Sequence, residues 1–348
     1  MKNKVQRLIV LSLFVLMTAC ASLNAEQAID LSPGSSTASN ADMQYYFTSP
    51  NRQNHCELTV PLLSAIDRAQ HSIDLALYNI NMEDIADALI IANQRGVAVR
   101  IVLDDNKQDN KIPQKLADAG ISMVYDPDKS TMHNKFMIID GQQVWMGSMN
   151  FTESGCEDDY NNMLRVSNER IANNYAAEFA EMYEEYSFSA DSPSNTPYTR
   201  VQVGDVLVET YFSPDDGVRN AMLDVIEQAT DSIIIMAYSF TSDKLADAII
   251  ERAESGVQVL GVMDADQIKS NTGSEYEDFL RAGIDIKQDN IDGQMHHKVI
   301  IIDEQIVITG SYNFSANAEK RNDENVLIIH SSGAAQQFLN AFETIKTK

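Results

Sequence analysis

The strongest constraint on the fold of this chain is that its sequence contains the same unit twice. Residues 72–78 read SIDLALY and residues 232–238 read SIIIMAY, and both are apolar runs typical of a buried strand. Helical segments follow both runs and also match, as ADALI at 86–90 and ADAII at 246–250. A chain that repeats a unit of this kind is expected to fold as two similar lobes.

Strands alternate with helices in both copies, because a second apolar run follows each helix at 97–103 and at 257–263. This order predicts an α/β fold in which each lobe is a mainly parallel β-sheet flanked by helices. Two copies of one fold in one chain are expected to pack about a pseudo-two-fold axis, as the subunits of a dimer do. We therefore expect a monomer with an internal pseudo-dimer.

The boundaries of the copies follow from matching entry strands, YFTSP in the first copy and YFSP in the second. The first lobe is assigned to residues 43–188 and the second to residues 206–348. Residues 189–205 contain two prolines among serines and asparagines, so they are predicted to be a linker. A chain of 348 residues is long enough for two units that each bury a core.

Each copy carries the pattern HxKxxxxD followed by Gly-Ser-x-Asn-Phe at the same distance. The first copy supplies His133, Lys135, Asp140, Ser148 and Asn150, and the second supplies His296, Lys298, Asp303, Ser311 and Asn313. Histidine and lysine two positions apart on a strand point to one face, so both face one cleft. Imidazole can serve as nucleophile and acid, while ammonium, hydroxyl and amide groups hold phosphoryl oxygens. The pattern therefore indicates phosphodiester chemistry.

These paired patterns resemble the HKD motifs of the phospholipase D superfamily, and the resemblance extends from about residue 43 to the end of the chain. It implies a bilobed α/β fold, a phosphohistidine intermediate, and neither a cofactor nor a metal in the chemical step. His133 and His296 are implied to face each other across the lobe interface. One attacks phosphorus, and the other protonates the departing alcohol and then activates water.

In relatives with short HKD units, a downstream glutamate orients the motif histidine. Glu324 holds that position in the second copy, whereas the first copy has Asn161. We expect Glu324 to lie beside His296 and favour its imidazolium, and Asn161 to fix the tautomer of His133. The resulting hypothesis makes His133 the nucleophile and His296 the acid. Alternatively, Asp158 or Asp159 supplies the missing carboxylate of the first copy.

The remaining motif residues admit structural roles. Asp140 and Asp303 are expected to hold backbone or cross-lobe groups rather than substrate, although they complete the catalytic motif. Ser148 and Ser311 either bind phosphate or close a turn. His297 should point away from the cleft, because side chains alternate along a strand.

The N-terminus indicates export, because a basic start precedes a short apolar stretch at residues 8–17. Residues 1–19 are predicted to be a signal peptide. The following Cys20 completes a sequence that resembles the lipobox of bacterial lipoproteins, and the alternative is cleavage after Ala25. Residues 20–42 would then be a flexible tether, which places the protein at the periplasmic face of a bacterial membrane.

Two further cysteines, Cys56 and Cys156, would share an oxidising compartment. A disulfide between them would hold the first motif loop against the scaffold. The alternative is two free buried thiols, since spacing in sequence does not fix the distance between them.

The formal charge of −25, from 26 Lys and Arg against 51 Asp and Glu, disfavours extended nucleic acid as a partner. With a lipid anchor this favours hydrolysis of a glycerophospholipid to phosphatidate and a head-group alcohol. The alternatives are a periplasmic endonuclease, which alone would make nucleic acid a partner, a cardiolipin synthase-like phosphatidyl transferase, and an inactive binding protein.

Overall fold

The computed structural model describes residues 42–50, 56–127 and 129–347. The predicted signal peptide and nearly all of the predicted tether, including Cys20, lie outside the described residues. Among the residues described, no helix is both long enough and apolar enough to cross a bilayer.

The first lobe is a seven-stranded sheet with the strand order β1-β7-β6-β5-β2-β3-β4. Its elements are β1 (Met43–Phe47), α1 (Thr59–Arg68), β2 (Ser72–Leu77), α2 (Glu83–Gln94), β3 (Ala98–Asp104), α3 (Lys111–Asp118), β4 (Ser122–Asp126), β5 (Lys135–Ile139), β6 (Gln143–Gly147), α4 (Glu153–Glu157), β7 (Asn162–Ser167) and α5 (Glu169–Glu184). A short 3₁₀ turn, Asp105–Lys107, follows β3.

The second lobe repeats this order with one strand added. Its elements are β8 (Arg200–Val203), β9 (Val206–Ser213), α6 (Val218–Ile226), β10 (Ser232–Ala237), α7 (Asp243–Glu254), β11 (Gln258–Met263), α8 (Ala265–Ser270), α9 (Tyr276–Arg281), β12 (Asp285–Gln288), β13 (Lys298–Ile302), β14 (Ile306–Gly310), α10 (Ala316–Lys320), β15 (Glu324–His330) and α11 (Ser332–Lys346). The sheet order is β12-β11-β10-β13-β14-β15-β9-β8. The prediction of two α/β lobes is confirmed.

The sheets are mixed rather than mainly parallel, which corrects the predicted strand directions. Only the β2-β3-β4 strands and the β10-β11-β12 strands run parallel, and the other pairs are antiparallel. Parallel neighbours need a crossover, which α2 and α3 provide in the first lobe. By contrast, β5, β6 and β7 follow one another directly or after the short α4, so they pair antiparallel.

The predicted linker at 189–205 is too long. A 3₁₀ turn, Ser189–Asp191, opens it, and β8 lies within it and pairs with β9 at the edge of the second sheet. Valines at alternate positions of β8, Val201 and Val203, are buried in the core between the sheets. The alternation of exposed and buried residues is typical of an edge strand, but it spans only four residues, which is too short a pattern to predict a strand from the sequence.

The core between the two sheets contains residues from both lobes. On β5, Phe136 and Ile138 face this shared core, while Met137 and Ile139 face the outer helices of their own lobe. The long helices contact the opposite lobe in matching ways, since Tyr175 of α5 packs on Phe212 with a centroid distance of 5.1 Å. Phe338 of α11 packs on Phe47, also at 5.1 Å. These exchanged contacts are those of a pseudo-two-fold arrangement.

The structure contains the predicted disulfide between Cys56 and Cys156, whose Cα atoms are 5.5 Å apart. Cys56 lies just before α1, and Cys156 lies in α4, which follows the first Gly-Ser-x-Asn-Phe segment. The bridge therefore fixes the short helix beside the first motif.

Candidate active site

Backbone hydrogen bonds between the lobes hold the two motif histidines. The N–H of His133 donates to the Asp323 carbonyl at 3.0 Å, and the N–H of His296 donates to the Tyr160 carbonyl at 2.9 Å. Asp323 and Tyr160 return these bonds through their own N–H groups to residues just before each histidine. Each histidine is thus tied to the segment that follows the Gly-Ser-x-Asn-Phe motif of the other lobe.

This exchange makes the predicted pairing of histidines and orienting residues wrong. Glu324 accepts a hydrogen bond from Nδ1 of His133, with Oε2 and Nδ1 2.7 Å apart. Asn161 Oδ1 lies 2.8 Å from Nδ1 of His296. The cause is that Glu324 and Asn161 directly follow the two residues, Asp323 and Tyr160, that pair with the opposite lobe.

The Nδ1 atoms of both imidazoles are engaged, so Nε2 is the nitrogen left for a substrate. The alternative that Asp158 or Asp159 supplies the carboxylate of the first copy does not hold, since Glu324 and Asn161 already occupy Nδ1 of His133 and of His296. Asp159 Oδ1 instead accepts from the Gln294 backbone at 3.0 Å. Two imidazoles therefore present Nε2 with different partners on Nδ1, a carboxylate for His133 and an amide oxygen for His296.

The motif serines support the orienting residues rather than the substrate. Ser311 Oγ donates to Glu324 at 2.7 Å, and Ser148 Oγ donates to Asn161 at 2.9 Å. Both serines are fully buried. The glycine before each serine allows the close approach, because a Cβ on Gly310 would lie 2.0 Å from the Asn325 carbonyl oxygen. Phosphate binding by Ser148 and Ser311 is therefore replaced by a positioning role.

Asn150 and Asn313 follow these serines in the motifs. Among the residues that the structure describes, neither side-chain oxygen has a hydrogen-bond partner, although both oxygens are buried. Their role in binding phosphate remains a prediction.

Each motif lysine is buried and bends back to its own histidine. Lys135 Nζ donates to the His133 carbonyl at 2.7 Å, and Lys298 Nζ donates to the His296 carbonyl at 2.9 Å. Burial lowers the pKa of Lys135 to about 7. Burial also lowers the pKa of Lys298 well below its ordinary value, and the charge of Lys135 adds to this effect. An anionic group between them would favour the charged forms.

The pKa values of both motif imidazoles are also lowered. Burial lowers the pKa of His133, and the Glu324 carboxylate opposes that change. The pKa of His296 is lowered further, by burial and then by the charges of Lys298, Lys135 and His133. The histidines and lysines of the two lobes affect one another's pKa values, so the four motif side chains form a single electrostatic unit.

Two tyrosines flank the histidines and were not assigned a role from sequence. The ring centroid of Tyr78 lies 5.2 Å from that of His133, and Tyr238 lies 4.6 Å from His296. Lys135 and Lys298 lie over these same rings, at 5.3 Å and 4.6 Å from the centroids. The signal was present, since both repeated apolar runs, at residues 72–78 and 232–238, end in tyrosine.

Asp140 and Asp303 lie away from the histidines and serve the backbone, as expected. Asp140 accepts hydrogen bonds from the N–H groups of residues 70–72, and Asp303 from those of residues 230–232. Burial acts to raise the pKa of Asp140, but these N–H groups outweigh it and the pKa is lowered. Both aspartates have a positive φ, 52° and 51°, at the end of their strands.

Carboxylates surround the motif of the second lobe. Burial raises the pKa of Asp159 to about 6 and that of Asp289 to about 6, and it also raises the pKa of Asp264. Asp264 and Asp159 both act on Lys298 by favouring its charged form. Across residues 42–50, 56–127 and 129–347, no three His, Cys, Asp or Glu side chains are arranged to hold a metal ion.

Two similar lobes with a histidine and a lysine from each at one shared site place this protein in the class of two-lobed phosphodiester hydrolases. A family model described as "Cardiolipin synthase, PLD-like domain" matches residues 62–183 and again residues 222–346. The chain therefore belongs to the phospholipase D superfamily. Both HKD motifs lie within the matched regions.

Similar proteins carry related names. A phospholipase D of Rickettsia prowazekii is 34% identical over 169 residues, which cover 49% of this chain and 82% of that protein. A mitochondrial cardiolipin hydrolase of Mus musculus is 35% identical over 36% of this chain and 56% of its own length. The structure of a phosphatidylserine synthase of Haemophilus influenzae matches 89% of this chain and 86% of its own, with a TM-score of 0.67 and 13% identity. That last likeness supports the two-lobed fold alone.

Proposed function

We propose that this protein hydrolyses a glycerophospholipid to phosphatidate and a free head-group alcohol through a phosphohistidine intermediate. The observation that carries the proposal is the pairing of His133 with Glu324 and of His296 with Asn161, one imidazole from each lobe. Two buried lysines with lowered pKa values accompany these imidazoles. This arrangement contains a nucleophile, an acid and a site for an anionic phosphoryl group.

His133 is the proposed nucleophile, though for a reason that differs from the sequence hypothesis. When Nε2 bonds to phosphorus, the imidazole ring gains positive charge. Glu324 accepts from Nδ1 of that ring, so its carboxylate stabilises the charged intermediate. It also fixes the tautomer that leaves the lone pair on Nε2.

His296 is the proposed acid and base. It donates its proton to the alkoxide as the bond between phosphorus and the head-group oxygen breaks. Its pKa is lowered by burial and by nearby cations, so its imidazolium is a strong acid once a phosphate anion draws it into the charged form. In the second half, His296 removes a proton from water, whose oxygen bonds to phosphorus and releases His133.

A lipid substrate is favoured by the charge around the site. The chain has a formal charge of −25, and Asp159 and Asp264 lie close enough to Lys298 to affect its pKa. A polyanion would meet this repulsion along its length, whereas a single phosphodiester with a cationic head group would not. The name phospholipase D of the Rickettsia relative supports the same choice. The predicted lipid anchor at Cys20, at the periplasmic face of a bacterial membrane, would hold the enzyme beside this substrate.

The test offers purified protein separate substrates: phosphatidylcholine vesicles, phosphatidylethanolamine vesicles, and single- and double-stranded DNA. His133→Asn serves as the matched inactive control. Release of choline or ethanolamine with formation of phosphatidate, absent in the control, is the expected result. Cleavage of DNA with intact lipid would replace the proposal by the nuclease alternative. Transfer of the phosphatidyl group to an added alcohol without hydrolysis would replace it by the transferase.

A further inference from the structure

The two sides of the catalytic cleft differ in charge at positions that the repeat makes equivalent. Asn161 corresponds to Glu324, since 324 − 161 = 163, the same offset as between the two motif histidines. By this offset residues 157–159, which read EDD, correspond to residues 320–322, which read KRN. Three formal negative charges in the EDD segment are therefore replaced by two positive charges in the KRN segment.

The exchange of partners between the lobes places each of these segments beside the histidine of the other lobe. Asp323 directly follows the KRN segment, and its carbonyl accepts from the N–H of His133 at 3.0 Å. The last residue of the EDD segment, Asp159, accepts from the Gln294 N–H at 3.0 Å, two positions before His296. The KRN segment thus lies next to the proposed nucleophile, and the EDD segment lies next to the proposed acid.

A further difference between the two sides has the same sign. Lys107 and Gln267 each lie three residues after the aspartate that caps the helical turn following β3 or β11. Gln267 Nε2 donates to the hydroxyl of Tyr238 at 3.0 Å. The Lys107 ammonium instead lies 4.7 Å from the ring centroid of Tyr78, and that ring lies 5.2 Å from the ring of His133. The other charge differences in these turns cancel, Asp105 against Ala265 and Asn106 against Asp266.

We call Lys107, Lys320 and Arg321 the basic patch, and its members come from both lobes. Lys320 and Arg321 are exposed and Lys107 is half-buried, so a ligand at the surface can reach all three. Among the residues that the structure describes, none of the three makes an ion pair with a carboxylate. In a chain with a formal charge of −25, three such cations around His133 indicate an anionic partner.

We propose that the basic patch binds the anionic head groups of a phospholipid bilayer and so holds the His133 side of the cleft against the membrane. The choice of a lipid surface rests on the proposed lipid substrate. It is also favoured by the one-sided charge, because a nucleic acid strand crossing the cleft would leave the patch and meet the EDD segment. A bilayer surface can contact the His133 side alone.

The net negative charge of the chain does not cancel this attraction. At physiological ionic strength, charges more than about 8 Å away are largely screened, so the residues nearest the surface decide the binding. Each Lys or Arg near an anionic bilayer strengthens binding roughly fivefold. The basic patch is therefore sufficient for a measurable preference between neutral and anionic vesicles.

The test measures binding of the full chain to sucrose-loaded vesicles by sedimentation. Vesicles of phosphatidylcholine alone are compared with vesicles of phosphatidylcholine and phosphatidylglycerol in equal parts. A lipid anchor would contribute to both kinds of vesicle, so the ratio of the two partition coefficients isolates the basic patch. Binding to the mixed vesicles should be stronger by at least about 10-fold. Equal binding to both kinds of vesicle would overturn the proposal.

Two double variants attribute this preference to the basic patch. Lys320→Gln/Arg321→Gln should lower the ratio on the order of 10-fold. Arg281→Gln/Lys287→Gln is the matched control, since it removes one arginine and one lysine that are exposed on α9 and β12, outside the patch. The control should keep the ratio. An equal loss in both variants would assign the preference to net charge and would overturn the proposal.

These binding measurements need no turnover, so they separate the docking surface from the proposed reaction. Lys320→Gln/Arg321→Gln should hydrolyse a soluble p-nitrophenyl phosphodiester as fast as the unmodified protein, and a lower rate would place these cations at the reacting phosphate and overturn the proposal. If the unmodified protein prefers anionic vesicles but hydrolyses no lipid, the docking surface stands and only the proposed function fails. A variant that loses affinity for single-stranded DNA while its vesicle preference is unchanged would assign the patch to nucleic acid and overturn the proposal.

Discussion

Glu324 of the second lobe accepts a hydrogen bond from Nδ1 of His133 of the first lobe, 2.7 Å away. Asn161 of the first lobe takes the equivalent place beside His296. Neither lobe therefore contains a complete site, because each supplies the orienting group for the other's histidine. The carboxylate and the amide also differ in charge, so the pseudo-symmetry of the fold is broken where the chemistry needs two different imidazoles.

Glu324→Gln tests the assignment of the nucleophile. The variant keeps an acceptor for Nδ1 but removes the charge that stabilises the phosphorylated ring, so we expect kcat to fall on the order of 10- to 100-fold. Rapid-quench measurement with a labelled phosphodiester should show slower formation of phosphohistidine at His133. Asn161→Asp is the matched change on the other side, and it should impair phosphohistidine formation less. Label on His296 would reverse the assignment.

Lys135 should take up a proton when an anion binds. Its pKa is about 7 in the free protein, so at pH 8 most molecules carry a neutral amine. A bound phosphate raises that pKa, and affinity should therefore fall as the pH rises above 7. Calorimetry of phosphate binding in two buffers of different ionisation enthalpy measures the uptake directly.

The matched control for this uptake is Lys107→Met, since Lys107 lies over the same Tyr78 ring, at 4.7 Å from its centroid. Lys135→Met should abolish most of the proton uptake at pH 8, whereas Lys107→Met should retain it. Equal uptake in Lys135→Met and the unmodified protein would place the proton on another group.

Asp140 should matter for stability and not for the chemical step. Its carboxylate accepts three backbone N–H groups ahead of β2, and losing them in Asp140→Ala should cost about 1–3 kcal/mol of unfolding free energy. Activity per folded molecule should stay within about twofold, since the residue does not face the histidines. A loss of kcat per folded molecule well beyond twofold would contradict this.

The pH dependence of that stability has a definite sign. The pKa of Asp140 is lowered in the folded state, so its carboxylate contributes stability above the unfolded value and loses it as the pH falls. Chemical denaturation of the unmodified protein and of Asp140→Asn should therefore differ at pH 7 and converge in acid, below the folded pKa. The substitution to asparagine tolerates the positive φ of 52° at this position, which isolates the effect of charge.

Much of the fold was predictable because the repeat is explicit in the sequence. Two matching sets of strands, helices and HxK motifs predict two lobes, as observed. The predicted placement of both motifs on strands holds for Lys135 and Lys298, which begin β5 and β13, whereas His133 and His296 lie just before these strands. Strand direction was not predictable in the same way, since a strand–helix alternation describes only β2 to β4 and β10 to β12. The antiparallel strands are joined by short connections between similar apolar runs, and the sequence does not distinguish these connections from the other loops.

The exchanged partners of the histidines were not predictable from spacing within one copy. Glu324 is 28 positions after His296 in the chain, yet it reaches His133 because Asp323 pairs with the backbone of the other lobe. Such a contact is determined by how the two lobes pack together, which the spacing of residues within one copy does not show. Tyr78 and Tyr238, in contrast, end the two aligned apolar runs in the sequence, so comparison of the repeats at every position would have identified them.

The disulfide between Cys56 and Cys156 should stabilise the fold and also help to hold His296, the proposed acid, in its orientation. It closes a loop with a sequence separation of 100, so its loss in the Cys56→Ser/Cys156→Ser variant is expected to cost about 2–5 kcal/mol. Cys156 lies in α4, whose Gly155 carbonyl accepts from Asn161 Nδ2 at 2.8 Å. Loosening α4 therefore loosens the residue that orients His296.

This link predicts a selective loss of activity below the melting temperature. A phospholipid needs its alkoxide protonated, whereas a p-nitrophenyl ester leaves as a stable anion and depends little on an acid. The double serine variant should thus lose more activity on phospholipid than on a p-nitrophenyl phosphodiester. Cys56→Ser and Cys156→Ser should each show the same selective loss, because either substitution removes the bridge. Steady-state rates on both substrates at one temperature, with the folded fraction measured by circular dichroism, decide the matter. An equal loss of activity on both substrates would show that the disulfide contributes to stability but not to the orientation of His296, since the identity of the leaving group would then make no difference.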